Sequence, residues 1–139
     1  MRSHVHKVQN YETDKMGIAH HSNYIRWMEE ARASFFEQIG WPLGAIEAKG
    51  VSDSVESLSI RYKHASRFSD MVIIGVRLVG LKPGGYSFSY EMFCNGEVIC
   101  TAKSENVFAD AYGYPVRIDD MSGLFESMKG NLEQAETRS

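Results

Sequence analysis

Only two of the 139 residues are cysteine and only three are proline. Cys94 and Cys100 stand in apolar, strand-like sequence, with no metal-ligand spacing and too few partners for a disulfide framework. They are expected to be reduced residues packed into the fold, as free cysteines usually are. No stretch approaches the ~18 consecutive apolar residues of a membrane-spanning helix. The opening residues, Met1 to Lys7, hold no apolar stretch of the kind found in a signal peptide. No membrane span and a cytoplasmic location are therefore expected. A basic surplus is missing too: 15 Lys plus Arg stand against 18 Asp plus Glu, a net charge of −3. A general nucleic-acid binder carries the opposite balance, so that class of partner is set aside. A small anionic ligand needs only a local cluster of cations and remains open. Internal repeats and linker-like composition are also absent. Residues 1–139 read as one domain, with a frayed tail from about 130 to 139.

What is present suits that domain. Hydrophobic residues make up 43% of the chain and charged residues 24%, enough apolar surface for one core at this length. Val5, Lys7, Gln9 and Tyr11 alternate over residues 4 to 12, which predicts a first strand with those four on one face. An aperiodic polar loop follows, from 13 to 22. Tyr24, Trp27, Met28, Ala31, Phe35 and Ile39 then recur at the helical period and form one apolar stripe. Arg26, Glu30, Ala33 and Glu37 fall on the opposite face. Ser22 or Asn23 is the expected N-cap, and Gly40 with Pro42 ends the helix. Leu43 to Gly50 reads as a short turn or helical piece.

Four strand-like segments follow: Val51–Lys63, Met71–Leu81, Tyr86–Cys94 and Glu97–Ala109. In the third, Tyr86, Phe88, Tyr90 and Met92 alternate with Ser87, Ser89, Glu91 and Phe93, so the aromatic set is expected to pack rather than to line a ligand site. Asn95-Gly96 is a strong hairpin signal, because both residues tolerate the positive φ of a type I′ turn. A short helix is expected over Gly123 to Lys129. One strand, one very apolar helix and four strands linked mostly as hairpins imply an α+β fold. An antiparallel sheet wraps around one long central helix, the hot-dog architecture.

The chemistry-bearing segment is the loop before the helix, Asp14-Lys15-Met16-Gly17-Ile18-Ala19-His20-His21-Ser22-Asn23-Tyr24. It brings a carboxylate, a glycine, two histidines and a helix N-terminus together. Asp14 could activate water or attack a carbonyl itself. Gly17 permits close backbone approach, and N–H groups at the helix start can hold a developing oxyanion. The residues alone leave a second reading open: Asp14 as a turn or cap residue, with His20 and His21 as exposed loop histidines. His-His with an aspartate six residues earlier matches no zinc spacing, so no metal is expected.

The loop, followed by Glu29-Glu30-Ala31-Arg32 on the helix, resembles the 4-hydroxybenzoyl-CoA thioesterase family. That family carries Asp-x-x-Gly-x-(Val/Ala)-x-His-x-Asn-Tyr and then Glu-x-Ala-Arg. The segment Tyr62 to Asp70 also looks like the family's Tyr-x-x-Pro-Ala-x-(Phe/Tyr)-x-Asp stretch. The likeness runs from about residue 3 to about residue 120. It implies hydrolysis of acyl-CoA or acyl-carrier-protein thioesters, with coenzyme A as part of the substrate and no other cofactor. By the same likeness Asp14 is the nucleophile or general base, and His21 assists in positioning or proton transfer. Gly17, Asn23 and Tyr24 belong to the loop and helix start that would polarise the thioester carbonyl. The resemblance further implies pairs of subunits with joined sheets and active sites between them, as a homodimer or homotetramer. Lys63 and Arg67, with Arg61 and His64 nearby, are candidate contacts for the phosphates of coenzyme A. Two departures stand out: His20 where the family often has Tyr or Trp, and Ala65 where it has Pro.

Glu29 is expected to pair with Arg32 at i,i+3, and Glu30 with Arg26. A thiolate leaves with little acid assistance, because a thiol pKa is near 8.5. One ionised carboxylate, one water and an oxyanion site could suffice. Two alternatives keep the fold and change the function: a non-catalytic acyl-CoA-binding protein, and another hot-dog enzyme such as a hydroxyacyl dehydratase.

Overall fold

In a computed structural model of the chain, residues 1–134 are described. The elements run β1 (Arg2–Lys7), a 3-10 turn (Asn10–Glu12), α1 (Ser22–Gln38), α2 (Leu43–Glu47), β2 (Ser52–Tyr62), β3 (Met71–Lys82), β4 (Gly85–Cys94), β5 (Glu97–Ala109), β6 (Pro115–Val116) and α3 (Leu124–Lys129). A second 3-10 turn, Ile118–Asp120, precedes α3. The strands form one antiparallel sheet in the order β1-β3-β4-β5-β2, and β6 pairs with the end of β5.

The apolar stripe of α1 lies against this sheet. Trp27, Met28, Ala31, Phe35 and Phe36 are fully buried, and from the sheet Val72, Ile74, Leu78, Phe88 and Met92 meet them in one core. Phe35 and Phe36 each meet Phe88 edge-on, with ring centroids 5.1 and 6.0 Å apart. The alternation read in β4 is the one observed: Tyr86, Phe88, Tyr90 and Met92 all point inward. The β4–β5 turn has Asn95 at φ 52° and Gly96 at φ 78°, the left-handed pair that a type I′ hairpin demands. Cys94 and Cys100 are free and buried. Burial pushes the Cys100 thiol up to about 11, so it packs as an inert residue.

β2 does not pair with the strand that follows it. It lies at the far edge of the sheet against β5, from Ser52 opposite Ala109 to Tyr62 opposite Cys100. Residues 63–70 must therefore cross to β3, and that crossing runs past the loop before α1: Ile18 bridges Arg67, and the Phe68 N–H donates to the Gly17 carbonyl at 2.8 Å.

Several local expectations are corrected. β1 ends at Lys7, short of the expected residue 12, and the face that holds Val5 and Lys7 is the outer one, with Val5 51% exposed. The other face, with His4 and His6, meets α1, and the His6 ring stacks on Trp27 at 4.8 Å. Period 2 was the right signal, but the polar side chains of that inner face find partners on the helix. Neither Ser22 nor Asn23 caps α1: His21 takes the N-cap position and makes no side-chain cap bond. Glu29 does not hold Arg32. Arg32 is buried and donates instead to Asp53 (2.8 Å) and the Tyr90 hydroxyl (3.1 Å). Glu30 meets His4 and His6, and Arg26 turns to Glu12. In each case a partner from another element displaced the helical neighbour, because tertiary pairing shields a charge better than an exposed i,i+3 or i,i+4 contact. Of the expected tail, Leu132 bridges Leu78, and the Glu133 N–H donates to the Leu78 carbonyl. Residues 135–139 lie outside the described residues.

Candidate active site

Residues 13–19 form a tight hairpin whose ends meet in a bridge between Thr13 and Ala19. Inside it the Asp14 N–H donates to the Ile18 carbonyl (2.9 Å), and the Gly17 N–H to the Asp14 carbonyl (3.0 Å). Gly17 has φ +77°, a conformation in which a Cβ is strained, so the glycine is a requirement of the turn. Asp14 Oδ1 accepts the N–H groups of Met16 (2.8 Å) and Ile18 (3.0 Å). Its Oδ2 has no hydrogen-bond partner among the described residues, and the side chain is exposed. The Ile18 N–H is the main cause that holds this carboxyl below the usual aspartate range. The Met16 N–H and the charges of His20 and Arg67 add to it. Asp14 is therefore an ionised carboxylate with one oxygen tied to the backbone and one left open.

The hairpin is pinned on both sides. Ala19 donates to the Ser66 carbonyl (2.9 Å), while the Ser66 hydroxyl meets the Tyr24 hydroxyl at 2.7 Å in the interior. On the helix side His20 donates to the Glu12 carbonyl at 3.0 Å. Asn23 uses its side-chain amide on the Glu12 carbonyl (2.8 Å) and the His20 carbonyl (3.1 Å). The backbone N–H groups of Asn23 and Tyr24 turn back to the carbonyls of His20 and His21, both at 3.1 Å. The first N–H groups of α1, at His21 and Ser22, have no partner among the described residues, as expected at a helix start.

The structure thus brings Asp14, Gly17, Arg67 and the helix start at Asn23 and Tyr24 into one neighbourhood. His21 is exposed, and its ring stacks on Tyr62 with centroids 4.0 Å apart and planes 8° from parallel. The Tyr62 hydroxyl also donates to the His21 carbonyl at 3.3 Å. No hydrogen bond joins His21 to Asp14 among the described residues. Lys63 is exposed at the start of the crossing, where its N–H and that of His64 share the Ile99 carbonyl. Large apolar side chains are exposed on the loop and the crossing, Met16 at 78%, Phe68 at 52% and Tyr62 at 37%, together with the exposed Lys15, His20 and Arg67.

The sequence reading passed over Glu12, which is only 1% exposed. Its Oε1 accepts His6 Nε2 and the Gln9 N–H, and its Oε2 accepts Arg26 Nη2 and Trp27 Nε1, each at 2.8 Å. Burial would raise this carboxyl, but the four donors outweigh it and hold it down at about 2. His6 went unread as well. The available signals were the i,i+2 spacing of His4 and His6 on one strand, and an acidic residue two positions before Asp14.

Comparison with known proteins gives the family. Residues 8–123 match the model of the thioesterase-like superfamily. The chain is 32% identical over 100 residues to a candidate esterase of Aquifex aeolicus, covering 72% of this chain and 78% of that one. It is 29% identical over 105 residues to the candidate acyl-CoA thioesterase YneP of Bacillus subtilis, covering 75% and 76%. Among solved structures, a hypothetical protein of Thermus thermophilus superposes with a TM-score of 0.86 at 27% identity, over 93% of this chain and 98% of that one. The chain belongs to the thioesterase-like superfamily, and with it to the thioester hydrolases.

Proposed function

We propose that this protein hydrolyses an acyl-CoA thioester to the free acid and coenzyme A, with Asp14 as the reacting carboxylate. The observation that carries the reading is the state of Asp14: ionised, exposed, fixed through Oδ1 by two backbone N–H groups, and open at Oδ2 beside the start of α1. As a base, Asp14 takes a proton from water while the water oxygen attacks the thioester carbonyl. As a nucleophile, it forms a mixed anhydride that water then opens. In either route negative charge grows on the carbonyl oxygen, and the N–H groups left without a partner among the described residues at the helix start, those of His21 and Ser22, are the donors available to meet it, while Gly17, Asn23 and Tyr24 shape the loop and the first turn around them. The C–S bond breaks and the thiolate departs without a dedicated acid, as a thiol pKa near 8.5 allows.

His21 is assigned to positioning: its ring and Tyr62 make a flat aromatic wall beside the loop. Arg67 and Lys63 are assigned to the phosphates of coenzyme A. The exposed β2 edge and the apolar surface at Met16, Tyr62 and Phe68 support a homodimer or homotetramer in which a second subunit completes the acyl site. A cytoplasmic location goes with this reading.

The test is release of free thiol from acetyl-, hexanoyl-, palmitoyl- and benzoyl-CoA by the parent and by Asp14→Ala. The expected result is turnover on at least one ester and a loss of at least ~100-fold in the variant, with folding and oligomer size unchanged. Survival of turnover in the variant would move the chemistry off Asp14. Binding of the esters without release of thiol would favour the non-catalytic binding protein or the dehydratase.

A further inference from the structure

Glu12 stands two residues before Asp14, and the loop opens and closes on it. Its backbone carbonyl receives both the His20 N–H and the Asn23 amide, which are the far end of the loop and the first turn of α1. Its carboxylate receives Arg26 and Trp27 from α1, His6 from β1, and the Gln9 N–H. Arg26 carries the connection further: the same Nη2 that meets Glu12 also donates to Asn23 Oδ1 at 2.6 Å. His6 is itself held from its other side, with Nδ1 on Glu30 Oε1 at 3.0 Å, and His4 Nε2 meets that same oxygen at 3.0 Å. One buried residue thus fixes strand, helix and both ends of the loop relative to each other.

From this arrangement we propose that Glu12 is the positioning residue of the hydrolytic site, setting the placement of Asp14 against the start of α1, with His6 as its supporting partner. The inference rests on the assignment of Asp14 made above. Its physical basis is tolerance: a reacting group misplaced by about 1 Å can cost on the order of 100-fold in rate. Four donors converge on the two oxygens of Glu12, and a glutamine offers only one oxygen. In Glu12→Gln at least one pair of donors loses its acceptor. The loop loosens, although Glu12 itself is buried.

The test compares the parent with Glu12→Gln, His6→Phe, Asp14→Ala and a core control, Ile74→Val. The reaction is hydrolysis of whichever acyl-CoA ester the parent turns over, well below the unfolding temperature. Glu12→Gln is expected to lose roughly 30-fold in kcat with KM within about threefold. The acid limb of kcat/KM is expected to move up. The Asp14 carboxyl is held low by Ile18, Met16, His20 and Arg67, and His20 is tethered to the Glu12 carbonyl. Removing a nearby negative charge would by itself move that limb down, so an upward move reports lost placement. His6→Phe keeps the ring on Trp27 and removes one donor, and is expected to show the same pattern at about a third of the size. If Glu12→Gln does not fold, His6→Phe carries the same readouts.

A loss of kcat with the acid limb unmoved, as in Ile74→Val, would reduce Glu12 to a stability residue and overturn the proposal. So would kcat within about twofold of the parent in both variants while Asp14→Ala is inactive. Full activity in Asp14→Ala would instead remove the assignment on which the inference rests.

Discussion

Two loops in this protein have the same local structure and different surroundings. Asp14-Lys15-Met16-Gly17-Ile18 precedes the central helix, and Asp110-Ala111-Tyr112-Gly113-Tyr114 joins β5 to β6. In the first, the aspartate Oδ1 accepts the N–H groups two and four residues on, at 2.8 and 3.0 Å. In the second the same bonds measure 2.9 and 3.0 Å. In both, the aspartate N–H donates to the carbonyl four residues on, the glycine N–H donates back to the aspartate carbonyl, and the glycine has positive φ, 77° and 85°. Asp-x-x-Gly is thus a turn before it is anything else: an aspartate that replaces missing backbone acceptors and a glycine that permits the left-handed residue. What separates the loops lies outside the five residues. Asp14 has the charges of His20 and Arg67, the start of α1 and the buried Glu12 behind it. Asp110 has Tyr112 and Tyr114, 87% and 69% exposed. The turn gives a carboxylate a fixed address, and the neighbours decide whether it can do chemistry.

The strongest way to break the comparison is to remove charge while keeping both turns. Asparagine retains an Oδ1 that can accept the same two N–H groups. Asp14→Asn is expected to lose at least ~100-fold in thiol release, and Asp110→Asn to stay within about twofold. Thermal unfolding of both should remain close to the parent. Equal losses of activity would mean that the two loops differ less than their surroundings suggest.

Glu12 gives the next largest effect, because its charge is buried whereas those on the two loops are not. Its carboxyl is lowered from 4.5 to about 2 on folding. A carboxylate with a depressed folded value adds stability above its unfolded value, and that stability is lost as pH falls toward the folded value. Urea unfolding between pH 5 and pH 2 should therefore lose about 2–3 kcal/mol from this group. In Glu12→Gln that part of the pH dependence should disappear.

Which parts of this were legible beforehand follows the range of the interactions. The stripe Tyr24, Trp27, Met28, Ala31, Phe35 and the β4 alternation were readable, because each is a repeat imposed by one element on its own neighbours. The Asn95-Gly96 turn was readable for the same reason. Asp14 and Gly17 were readable as a pair, but the Asp110 loop, with the same spacing, shows how little the spacing alone decides. The partners of Arg32, Arg26 and Glu30 were misassigned because the choice depends on which strand lies under the helix. Glu12 was missed because its four donors come from β1, the turn at Gln9 and two positions of α1. Only the assembled fold brings those together.

The glycines test the shared part of the two loops. Neither Gly17 nor Gly113 has an atom within 4 Å of a Cβ built on it, so alanine meets no clash and only backbone strain remains. Each Gly→Ala change should cost about 1–2 kcal/mol, and the two costs should be alike. Activity should part them: Gly17→Ala displaces Asp14 and lowers kcat, while Gly113→Ala leaves it near the parent value. Unequal stability losses would show that tertiary contacts, and not the turn, set the shape of one of the loops.

The smallest effect isolates what surroundings add to the turn. Asp14 is held low by two kinds of cause, the fixed N–H groups of Ile18 and Met16 and the charges of His20 and Arg67. Salt separates them. The Debye length falls from about 10 Å at 0.1 M to about 3 Å at 1 M, which screens exposed charges and leaves short N–H bonds intact. The protonated, inactive form of Asp14 gains population as pH falls through its folded value, so that value appears as the acid limb of kcat/KM. Raising salt to 1 M should move the limb up by a fraction of a pH unit without returning it to the ordinary aspartate value near 3.9. Arg67→Gln at low salt should reproduce part of that move, and the variant should then respond less to salt than the parent. A limb that returns fully to the ordinary value would assign the whole shift to charge and leave the backbone bonds as scaffolding alone. A limb that ignores both salt and Arg67→Gln would assign it to the turn, and what distinguishes Asp14 would then be its access to substrate and not its ionisation.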